Sequence, residues 1–105
     1  MTDIVASFEV IGLRPNGERI EIAAHIGRPE PAPPEAGGWM CEVQLLPFYP
    51  ELPPIRGVDS FHALWLAGSF VLKLLKHFKE GGGQLLNEDG SEFPLEAYAA
   101  GLDAA

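Results

Sequence analysis

The stretch Asp59-Ser-Phe-His-Ala-Leu-Trp-Leu-Ala-Gly-Ser-Phe-Val-Leu-Lys-Leu-Leu-Lys-His-Phe-Lys-Glu80 decides the fold, because it reads as one long helix with both ends marked. Phe61, Leu64, Trp65, Gly68, Leu72, Leu75 and Phe78 recur at three-and-four spacing, which puts them on one face of a 3.6-residue helix. That face is expected to be the buried one. Asp59 is placed as N-cap, with Val58 before it as a hydrophobic staple. Lys73, Lys76 and Lys79 set positive charge toward the negative pole, and Gly81 to Gly83 end the helix.

A second apolar set, Leu66, Ala67, Phe70 and Leu74, lies beside the first and leaves mainly His62, Ser69, Lys73 and Lys76 as a narrow polar strip. A helix resting on one sheet needs an apolar stripe of only about 100°. The excess must be covered by another part of the chain or by a second copy, since an open patch of that size invites aggregation. A second copy is the favoured cover, giving a homodimer joined through Leu66, Phe70 and Leu74. A membrane span is excluded for this run: His62, Ser69 and Lys73 interrupt it, and about 20 predominantly apolar residues would be required.

Outward from the helix, Ile4, Ala6, Phe8 and Val10 alternate with polar residues as a strand with one buried face would. Arg14-Pro-Asn-Gly17 is a turn, and Glu18 to Ile26 alternates again, which predicts a hairpin. Arg28 to Gly38 is a loop rich in proline and glycine. Trp39 to Leu46 reads as a third strand with Cys41 inward, the prolines of Pro47 to Pro54 as a loop, and Ile55-Arg56 as a short fourth strand. Leu85-Leu86 is a short extended piece, Asn87 to Gly90 a turn, and Phe93 to Tyr98 a tail laid across the helix or reaching a partner; Gly101 to Ala105 is expected to fray. The pieces assemble as an α+β domain, an antiparallel meander of three or four strands on one long helix, spanning residues 1–105.

Chemistry is sparse in this pattern. His62 and His77 are one helix apart, roughly 22 Å along its axis, so they cannot share a metal, and His25 stands on a strand. No ligand spacing, Gly-x-Ser-x-Gly elbow or calcium-loop register occurs, and Glu88, Asp89 and Glu92 read as a solvated turn. The single cysteine rules out a disulfide within the chain. Arg56 and Gly57 precede a helix start where an anion can bind, but Asp59 is expected to occupy those N–H groups. No catalytic residue, cofactor or metal is therefore expected.

The formal net charge of −8 disfavours nucleic acid and anionic membranes as partners but admits a basic protein. With no basic start followed by an apolar run, the N-terminus predicts a cytoplasmic location. Ile26-Gly-Arg-Pro29, Gly57-Val-Asp-Ser-Phe-His-Ala-Leu64 and Phe93-Pro-Leu95 resemble a family of small, functionally uncharacterised bacterial proteins. That resemblance implies a bacterial α+β protein and brings no catalytic residues. Together these features point to a non-enzymatic, homodimeric interaction protein, in its more specific form an immunity- or antitoxin-like protein. The competing class is a small-ligand binder or minor enzyme, with a pocket between sheet and helix lined by Trp39, Tyr49 and Trp65.

Overall fold

The computed structural model describes residues 3–99, so the expected fraying of Gly101 to Ala105 lies outside the described residues. The elements run in the order β1 (Ile4–Leu13), β2 (Arg19–Gly27), β3 (Glu30–Pro31), β4 (Trp39–Cys41), β5 (Val43–Leu46), β6 (Ile55–Gly57), α1 (Ser60–Glu80), β7 (Gln84–Leu86) and α2 (Leu95–Ala99). They form two antiparallel sheets packed against α1, one in the order β5-β2-β1-β7 and one in the order β3-β4-β6. The protein is α+β.

The β1–β2 hairpin forms where the alternation and the Arg14–Gly17 turn place it, with Gly17 at a φ of +90° and Arg14 accepting from the Gly17 N–H at 2.9 Å. The expected third strand divides at Glu42. Trp39–Cys41 joins β6, whereas Val43–Leu46 joins β2, so the simple meander gives way to two sheets that share one run of chain. Leu85–Leu86 is extended as expected, within β7, and the tail lies against α1, with Leu95–Ala99 as a short helix. Its Tyr98 ring lies 5.5 Å from Phe8 and 4.8 Å from Phe93, and Lys79 of α1 ties it down through Glu96 at 3.4 Å.

Both ends of α1 are where local chemistry sets them. Asp59 Oδ1 accepts from the His62 N–H at 2.7 Å, and the Gly81 N–H donates to the His77 carbonyl at 3.0 Å. Val58 is not a staple. It is 76% exposed, and its backbone N–H donates to His62 Nδ1 at 3.0 Å.

The buried face of α1 is Ala63, Ala67, Val71 and Leu75; of the face expected from the spacing, Leu75 is buried and Phe78 packs on the core, whereas Phe61, Leu64 and Trp65 are exposed. The cause is close approach. A Cβ on Gly57 would stand 2.4 Å from the Ala63 nitrogen, so β6 presses its backbone directly onto the first turn of α1. Phe61 is left 73% exposed and Trp65 47%. At the other end Phe78 fills the space beside Gly12, where an added Cβ would lie 3.0 Å from its ring. The core thus combines Val10, Ile22, Ala24, Cys41, Val43 and Leu45 of the strands with Leu85, Phe93 and that alanine-to-leucine stripe.

Candidate interaction surface and hollows

With Ala63 and Ala67 facing inward, Phe61, Leu64 and Trp65 of the first half of α1 are left exposed. Phe61, Leu64, Trp65, Gly68 and Leu72, with Tyr98 of α2, enclose a shallow apolar groove of about 260 Å³. Phe61 and Trp65 stack with ring centroids 6.4 Å apart and planes within 20°. Ser69, at the rim, turns its hydroxyl back to the Trp65 carbonyl at 2.8 Å. Among the described residues the groove carries no charged side chain.

The expected interface residues sit elsewhere. Phe70 and Leu74 are half-buried and pack against the core, and Leu66 is half-buried on the flank opposite the groove. With Ala67 and Val71 at the centre of contact, positions 70 and 74 fall beside the sheet. The Phe61–Trp65–Leu72 stripe, on the other flank, carries the most exposed aromatic residues of α1.

The expected pocket residues are not brought together. Trp65 lines the groove, Trp39 lies half-buried on β4 against the core, and Tyr49 lines a different hollow. That hollow, about 400 Å³, opens between the loop after β5 and the C-terminal half of α1. Arg14, Phe48, Tyr49, Leu74, His77 and Phe78 surround it, with the Arg14 guanidinium 5.6 Å above the Phe48 ring and paired to Glu18 at 2.7 Å. Tyr49 is held there because it exchanges backbone hydrogen bonds with Leu45, at 2.7 and 3.1 Å. Sequence reasoning named Tyr49 and missed Arg14, which enters only through the hairpin turn.

Titratable groups are dispersed. Among the described residues no three His, Cys, Asp or Glu side chains are grouped so as to hold a metal ion, and no helix is long and apolar enough to cross a membrane. His25 Nδ1 lies 3.2 Å from Gln44 Oε1, on the sheet face away from α1. Asp89 caps its own turn, accepting from the Ser91 N–H at 2.9 Å, and hydrogen bonds from Ser91 hold its carboxyl below the usual range.

Cys41 is fully buried, and its Sγ donates to the Gly27 carbonyl at 3.1 Å. Burial pushes the thiol pKa up, and the neighbouring Glu42 charge adds to the shift. A raised folded value favours the native state below the unfolded pKa of about 8.5, and this contribution fades as pH rises through the folded value. Native protein at pH 8 is accordingly expected to leave a colorimetric thiol reagent unreacted, with one equivalent reacting on addition of denaturant; rapid native reaction would show the site open.

Comparison with known proteins returns no match, whether to a family model, a curated protein or a solved structure.

Proposed function

We propose that the protein is a non-enzymatic interaction protein that pairs with a second copy of itself through the outer stripe of α1. The observation that carries this is the exposure of stacked Phe61 and Trp65 beside the uncharged Gly68 groove. Large apolar residues gathered on one face of a small protein mark a contact surface. A copy is the fitting occupant because the stripe supplies both a projection, the aromatic pair, and a recess, the side-chain-free Gly68. A basic partner would find no carboxylate inside the groove. The acidic remainder of the surface is the part suited to a basic protein, which is where an immunity- or antitoxin-like role would reside.

Light scattering over a wide concentration range is the test, on wild type and Trp65→Glu at low and high salt. The wild type is expected near twice 11.4 kDa and Trp65→Glu at the monomer mass, still folded because Trp65 is outside the core cluster. Two chains of charge −8 repel, so added salt is expected to tighten the dimer, whereas attraction to a basic partner would weaken. A wild-type monomer throughout would overturn the proposal and make the Arg14–Tyr49–His77 hollow, as a ligand pocket, the better reading.

A further inference from the structure

The α1 stripe by itself is too small for a lasting interface. Taking about 200 Å² for a fully open aromatic side chain, the stripe with Tyr98 offers roughly 400 Å² per copy. A stable interface hides about 800 Å² on each partner. The remainder has to come from a surface next to the stripe.

That surface is the free side of β1. On one side β1 pairs with β2 along its length, and on the other β7 covers only Ile11 to Leu13. Glu88, in the turn after β7, shares a hollow with Glu9 and Val10, so the side of β1 from Ile4 to Phe8 is what stays open among the described residues. Ile4 and Val5 there are half exposed, at 50% and 51%. An open strand of this kind, apolar and unpaired, is a template for a further strand. It adjoins the stripe: Tyr98 lines the α1 groove and also packs on Phe8.

We infer that a second copy pairs its own β1 antiparallel to this one across Ile4–Phe8, joining the two four-stranded sheets about a two-fold axis at Ala6; this rests on the homodimer proposed above. An antiparallel two-fold sets one residue opposite its own copy, because hydrogen-bonded and non-hydrogen-bonded pairs alternate. Ala6 is the centre of the open window, so Ile4 meets Phe8 and Val5 meets Ser7 of the other copy. A centre at Phe8 would set Val5 against Ile11, already paired with Leu86. The Ala6 centre sets Asp3 opposite Glu9, and Arg28 at 3.3 Å offsets the Asp3 charge. The register shift between Ile4 and Ala6 falls inside the window, so each copy's irregular flank faces the other's Ser7.

Residues directly opposite in such a pair have Cα atoms about 4.5–5.5 Å apart, within the span of a disulfide. Ala6→Cys is therefore expected to give a covalent dimer under mild oxidation, seen as a doubled band on non-reducing gels, at protein concentrations where wild type scatters as a dimer. Lys73→Cys, exposed on α1 away from the stripe, serves as the control and is expected to cross-link at least tenfold more slowly; native Cys41 is buried and stays silent. Absence of the Ala6→Cys cross-link in a variant that still scatters as a dimer would overturn the β1 pairing and leave the α1 dimer intact. A monomeric mass would overturn both.

Discussion

Gly57→Ala is expected to lower stability by about 3 kcal/mol, at the upper end of what overpacking costs. The added methyl would stand 2.4 Å from the Ala63 nitrogen and 2.7 Å from its Cα, distances no real Cβ adopts. Flexible side chains can yield to such a contact, but here the obstruction is helix backbone. Relief requires β6 and α1 to separate, and β6 also pairs with β4, so Trp39 and Cys41 move with it. The position needs glycine for want of space, because Gly57 is absent from the residues with positive φ. Thermal unfolding followed by circular dichroism should show a Tm lower by roughly 15 °C, given 4–8 °C per kcal/mol in a domain of this size. The outwardly similar Gly90→Ala meets no atom within 4 Å, so its cost would come only from the φ of +87°. A Gly57→Ala protein that melted like wild type would show that β6 does not press on α1.

Local chemistry was legible in the sequence. The N-cap at Asp59, the glycine stop and the Pro-Asn-Gly turn act over three or four residues, so the residues that specify them are adjacent in the chain. The face of α1 that turns inward was not legible by periodicity, since apolar residues surround nearly the whole helix. The deciding contact, Gly57 on Ala63, depends on how β6 enters the sheet beside β4. One signal was present: Ala63, Ala67, Val71 and Leu75 recur every four residues and grow in size along the helix, as expected for a helix that rests close to a strand at one end. The division of the third strand at Glu42 had no local mark, because Cys41 and Val43 are both buried and the alternation runs through the change of sheet. Of the surface residues, Trp65 and Tyr49 were found, but the supposition that they share a pocket with Trp39 required three elements to converge, and they do not.

The orientation of α1 has a direct energetic signature, because its two faces should respond oppositely to truncation. Leu75→Ala removes a fully buried side chain that lies in the core cluster. Such deletions cost about 2–5 kcal/mol, the transfer of the lost methyl groups plus the cavity left behind. A value near 3–4 kcal/mol is expected, because the wall of this site includes β-strand backbone that cannot collapse inward as a loop can. Phe61→Ala removes a larger side chain but one that is 73% exposed, so its effect on the isolated chain should lie within about 0.5 kcal/mol. Denaturant unfolding at dilution sufficient to keep the chain monomeric compares the two directly. Repeated at high concentration, the same pair separates packing from association: Phe61→Ala should then lose the concentration-dependent part of its stability, which mass action adds only when copies bind, while Leu75→Ala should retain that part. If Phe61→Ala proved the costlier variant at dilution, the aromatic face would be the buried one, and the dimer surface proposed on it would have to be abandoned.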